Sequence, residues 1–132
     1  MKNYEKVQTV NLDPQTSQKS FGGRAKVTTF VTADGTLVEV LKSYETDVAA
    51  AVVRGGKTEI FRLYDEDFFE GNIEGWRYRT FYGYSATTGK HLESFHLAMG
   101  LGWNGKKAWE SKNPVTFDEV MEYAANFNRT AA

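Results

Sequence analysis

Asp34-Gly35 and Gly55-Gly56 constrain the fold of this chain more than any other feature in it. Both pairs supply residues that tolerate positive φ, and both interrupt strand-like sequence. "AKVTTFVTA" and "TLVEVLK" surround the first pair, "ETDVAAAVV" and "KTEIFRLY" the second. Turns of this chemistry close antiparallel hairpins, because their backbone twist matches that of the flanking strands. Two hairpins in succession predict a meander. Within it, Tyr44, Thr46, Val48, Ala50 and Val52 alternate with Glu45 and Asp47, which places an apolar row on one strand face and acids on the other. The strand after the second turn is expected over Thr58 to Tyr64.

Length decides how much else can be built. With 132 residues the chain holds one ordinary domain, 1–132, so every element must share a core. Hydrophobic residues at 41% and charged residues at 25% are a globular balance, and an aromatic share of 14% lets a small domain bury a large area per side chain. No internal repeat or low-complexity tract interrupts the pattern. Ahead of the hairpins, residues 4–12 read as a short first strand. "DPQTSQKSFGGR", from Asp13 to Arg24, reads as a loop through Pro14, Ser17, Ser20, Gly22 and Gly23.

Downstream, "WRYRTFYGYS" from Trp76 to Ser85 has a period of two, with Trp76, Tyr78, Tyr82 and Tyr84 on one side and Arg77 and Arg79 on the other. It reads as the inner face of an antiparallel sheet; stacking of nucleic-acid bases is the competing reading. Leu92, Phe95 and Met99 then repeat at helical spacing. A helix is expected from Thr88 to about Met99, with Thr87 or Thr88 as its cap and His91 packed beside aromatic rings. In "NPVTFDEVMEYAANF", Thr116 and Glu119 have capping-box spacing and Val115 and Val120 can staple the entry. Phe117, Val120, Met121, Ala124 and Phe127 form one stripe, giving a second helix from Phe117 to about Asn128. "GLGWNGKKAWESKNP" brackets Lys106-Lys107 with Trp103 and Trp109, and reads either as an irregular connection anchored by its indoles or as a surface recognition loop. The expected fold is a single α+β domain: an antiparallel sheet of about five strands, built of hairpins in a meander, with two main helices covering one face.

Sixteen Lys and Arg against seventeen Asp and Glu leave a net charge of −1. That is neither the broad basic field of a typical DNA binder nor the acidity of a whole-surface DNA mimic, so net charge does not indicate a nucleic-acid partner and electrostatic recognition must be local. The chain has no cysteine, which removes disulfides, zinc fingers, iron–sulfur sites and thiol catalysis. "MKNYEKVQTV" lacks the apolar core of a signal peptide, and no segment approaches the roughly 18 apolar residues of a membrane span. A cytoplasmic protein with no membrane partner is expected.

Chemistry-bearing residues gather in two places. "YSATTGKH", Tyr84 to His91, presents Ser85, Thr87, Thr88, Lys90 and His91 as a candidate anion-binding turn, since free amides at a helix N-terminus attract phosphate and Lys and His add donors. The same residues read first as strand, cap and helix, with Thr87 and Thr88 chiefly capping. The turn has no G-x-x-x-x-G-K-[ST] frame. His91 and His96 lie about 140° apart around a helix, which is the wrong geometry for a shared zinc ion. "DEDFFE" gathers Asp65, Glu66, Asp67 and Glu70 without the order of a calcium loop. It reads as a solvated acidic turn or, with Arg77 and Arg79, as a partner-binding segment. There is no G-x-S-x-G, and neither histidine has a nucleophile beside it in the sequence. No catalytic residue, metal site or cofactor is expected.

"KSYETDVAAAV" followed by "GYSATTGKH" resembles a pattern in small proteins of phages and other mobile elements, in which a Ser-Tyr-x-Thr-x-Val strand precedes a Tyr-Ser-x-Thr-Thr-x-[Lys/Arg]-His turn. The likeness covers Ser43 to Val48 and Tyr84 to His91. It implies mobile-element origin and, with it, an inhibitor of host defence: an anti-CRISPR or related protein, without enzymatic activity, that contacts a nucleic-acid-handling host effector such as a CRISPR nuclease complex. Asp65, Glu66, Asp67 and Glu70 would stand in for phosphates in a basic channel, and Arg77 and Arg79 would meet an acidic surface or nucleic acid. Two other readings stay open. One is a small enzyme or binding domain for a phosphorylated ligand or nucleotide signal at the Tyr84–His91 turn. The other is a single-stranded nucleic-acid binder using the Trp76–Tyr84 strand.

Overall fold

The computed structural model describes residues 4–14, 20–63 and 86–125. One sheet runs in chain order through β1 (Tyr4–Asn11), β2 (Ala25–Thr32), β3 (Leu37–Ser43), β4 (Thr46–Arg54), β5 (Lys57–Leu63) and β6 (Pro114–Val115). The first five strands form the expected antiparallel meander, and β6 lies parallel to β5. Three helices accompany them: α1 (Ala86–Ala98), α2 (Gly105–Glu110) and α3 (Phe117–Ala125). The α+β class is as expected, with six strands among the described residues where about five were expected. β6 and α2 were not expected, because two residues and six residues are too short to carry a period. The Trp76–Ser85 segment lies outside the described residues.

Both glycine turns do what their chemistry dictates. Gly55 and Gly56, at φ 55° and 78°, close β4 onto β5. Gly35, at φ 86°, completes the β2–β3 loop, in which the Thr32 amide donates to the Thr36 carbonyl at 2.9 Å. Asp34 braces that loop: its carboxylate accepts from the Thr32 hydroxyl and from the Thr36 amide. These bonds, the Thr32 hydroxyl foremost, hold the Asp34 carboxyl below its ordinary range. A further turn was hidden in the sequence. Tyr44 and Glu45 join β3 to β4, with Tyr44 at φ 58°, so Tyr44 does not extend the apolar row of β4. Few bulky residues take this conformation, and nothing in "KSYETD" announces it.

The helices do not share a face. Ala25, Val27, Leu41, Ala49 and Ala51 pack with Leu92 and Phe95 of α1 and Trp109 of α2. Val38, Val40, Ala50 and Val52 pack with Val120, Met121 and Ala124 of α3. The sheet is therefore the middle layer of three, which corrects the expectation of one covered face. The reason lies in β4: the alanines at 49 and 51 form a second apolar row opposite Ala50 and Val52, and alternation with acids holds only at the start of the strand. A bulge between Leu41 and Lys42 adds Val48 to the first cluster beside Ala49.

The capping box of α3 is formed: the Glu119 amide donates to Thr116 Oγ1 at 3.1 Å, and the Thr116 amide donates to Glu119 Oε1 at 3.2 Å. Val115 and Val120 lie in the same cluster, as a staple requires. At the far end of α3, Arg54 donates to the Thr36 hydroxyl at 2.9 Å and to the Ala124 carbonyl at 2.7 Å, tying hairpin and helix together.

Candidate functional site

Ser43 ends β3 opposite Ala25, and its side chain points to the face that α1 covers. The first turns of α1 carry Thr88 and His91, three residues apart and so on one side of the helix. The Ser43 hydroxyl lies 2.8 Å from His91 Nδ1 and 3.0 Å from the Thr88 hydroxyl. One oxygen thus joins the end of a strand to both helical residues, using its donor hydrogen and its lone pairs. The ring of Phe21 meets His91 edge-on at 4.5 Å, and Tyr44 lies against it at 5.8 Å. Arg24 sits 6.0 Å from the centre of the Tyr44 ring, and its carbonyl accepts from the Tyr44 amide at 2.7 Å. The left-handed backbone at Tyr44 is held by these contacts.

Burial governs the chemistry of this group. His91 is 1% exposed and Ser43 is 3% exposed. Removing the imidazole from water disfavours its charged form and pushes its pKa below the ordinary 6.5, so His91 is neutral at neutral pH. A neutral imidazole beside a serine hydroxyl is the first half of a nucleophile–base pair. Here the serine oxygen is enclosed and also engaged by Thr88. Every buried side-chain nitrogen and oxygen among the described residues has a hydrogen-bond partner.

The candidate anion-binding residues are divided between two environments. Thr88 and His91 turn inward to Ser43, whereas Thr87 and Lys90 are exposed. Because α1 begins at Ala86, Thr87 and Thr88 are its second and third residues and not its cap. The hydroxyl of Thr88 serves the strand instead. Ser85 lies outside the described residues, as do Asp65, Glu66, Asp67, Glu70, Arg77 and Arg79. His91 packs beside aromatic rings as expected, and His96 is structural, its Nδ1 2.7 Å from the Gly102 carbonyl. Among the described residues, no three acidic or histidine side chains converge to hold a metal ion, and no helix is long and apolar enough to cross a membrane.

Ser43 is the residue that sequence reasoning missed as a partner of His91. The only signal was indirect: Ser43 belongs to one of the two segments of the phage-protein pattern and His91 to the other, and the fold makes them touch. Comparison with protein-family models, curated proteins and solved structures finds no match to this chain.

Proposed function

We propose that this protein works by binding, as a non-enzymatic inhibitor that blocks a nucleic-acid-handling effector of host defence through direct contact. The observation that carries the reading is the closure of the Ser43–Thr88–His91 group. Its hydroxyls and imidazole are engaged with one another beneath Phe21 and Tyr44, so they join a hairpin to a helix and are not presented to a ligand. The two segments that resemble phage proteins meet at this joint, which makes the shared pattern a packing device. Recognition then falls to charge. Asp65, Glu66, Asp67 and Glu70 supply a local acidic run able to occupy a basic channel in place of phosphates, with Arg77 and Arg79 nearby in sequence for an acidic counterpart.

The test combines charge reversal with a change at the joint. Asp65→Lys, Glu66→Lys and Asp67→Lys together are expected to abolish effector binding at an unchanged melting temperature, and binding by the native chain is expected to weaken as salt rises. His91→Gln is expected to lower the melting temperature yet leave binding intact where the variant is folded. Failure to bind any defence component, with turnover or capture of a nucleotide that depends on Lys90 or His91, would replace this reading with the phosphorylated-ligand alternative.

A further inference from the structure

The two indoles of the 100–114 connection have opposite fates. Trp109 is fully buried, stacked on Phe95 at 5.4 Å, and its Nε1 donates to the Phe61 carbonyl at 3.1 Å. Trp103 is 68% exposed, the most exposed large hydrophobic side chain among the described residues. An exposed tryptophan on a loose loop would mean little, but this loop is fastened on both sides of it. Before it, the Gly102 carbonyl lies 2.7 Å from His96 Nδ1, and the Leu101 amide donates to the His96 carbonyl at 2.9 Å. After it, the Glu93 carboxylate accepts from the amides of Asn104 at 3.0 Å and Lys106 at 3.2 Å. Gly100, Gly102 and Asn104 all take the left-handed region, at φ 76°, 88° and 71°. Two buried or bonded side chains of α1 therefore hold a rigid loop whose apolar side chain faces water, which is preorganised display.

Two lysines follow the indole within four positions: Lys107 is exposed, and the Lys106 side chain lies across Gly89, which precedes the exposed Lys90 of α1. The nearest acid in the loop's own network, Glu93, is occupied by backbone amides. Lysine is depleted at protein–protein interfaces but suits phosphate, while an exposed indole offers a stacking face to any base. We propose that Trp103, with Lys106 and Lys107 three and four residues after it, is a binding site for single-stranded nucleic acid: one base stacks on the indole and the flanking phosphates meet the ammonium groups. This site uses none of the acidic residues and stands independently of the inhibitor reading.

The experiment is fluorescence anisotropy of the full chain with labelled single-stranded DNA and RNA oligonucleotides of about twelve nucleotides, a length within the usual range of such sites. Binding is expected to weaken steadily with salt and to be stronger than to a duplex of equal length. Trp103→Ala is expected to lower affinity about tenfold or more, Trp103→Phe to retain most of it, and Lys107→Glu to weaken binding and reduce the salt slope. Both side chains are exposed, so melting temperatures stay unchanged. Absence of binding by the native chain, or equal binding by Trp103→Ala, overturns the proposal. So does Trp103-dependent binding of polyglutamate with no binding of oligonucleotide, which would make the loop a protein-binding site.

Discussion

A single oxygen, Ser43 Oγ, holds the pattern shared by two distant segments. Replacing Ser43 by Ala leaves the buried His91 Nδ1 without its Ser43 partner, which costs about 1–3 kcal/mol; urea denaturation of the variant against the native chain measures it. The same burial makes stability depend on pH. His91 has a pKa below its ordinary 6.5 in the folded state, so the unfolded chain binds the proton more readily. Its contribution is complete above about pH 6.5 and is lost as pH falls through that value towards the depressed one. Melting temperatures between about pH 7.5 and 5 are expected to fall for the native chain, and His91→Gln is expected to lose that part of the slope. None of this pairing was legible in sequence. The helix period placed His91 on a buried side, but periodicity acts along one element, and the Ser43 contact crosses between elements 48 positions apart.

Among elements, those with a chemical signature at both ends were legible. Asp34-Gly35, Gly55-Gly56 and the Thr116–Glu119 box each combine a turn or cap residue with a flanking pattern, and each is present. Thr116→Ala is expected to cost about 1 kcal/mol, read from the shift in the denaturation midpoint. α2 escaped notice because it is assembled by its surroundings: Glu93 caps its amides, and Gly105 lies against α1 so closely that an added Cβ would stand 2.6 Å from His96 Cβ and 2.7 Å from the Leu92 carbonyl oxygen. Gly105→Ala is therefore expected to destabilise the domain by about 1–3 kcal/mol as the two helices are pushed apart, a loss that thermal unfolding detects. Truncating Trp109, the indole that fills the space between α1, α2 and β5, is expected to cost about 3–5 kcal/mol by the same measure.

At the scale of the whole molecule, the sheet is a partition between two cores, and the alanine run of β4 is what allows it. Small side chains on both faces let α1 approach from one side and α3 from the other. Sequence reading gave the strand one apolar face, through Val48, Ala50 and Val52, because Glu45 and Asp47 alternate with that row; in the fold Glu45 belongs to the turn and only Asp47 to β4. The polar group of one core then has a structural task, and the proposed function assigns recognition to the acidic run instead. The most direct measurement of this division is effector binding compared between the His91→Gln chain and the Asp65→Lys, Glu66→Lys, Asp67→Lys chain, each alongside its melting curve. The account predicts a lowered melting temperature with binding retained for the first, and an unchanged melting temperature with binding lost for the second. Loss of binding or activity in the His91 variant at an unchanged melting temperature, with the charge-reversed chain fully competent, would contradict it.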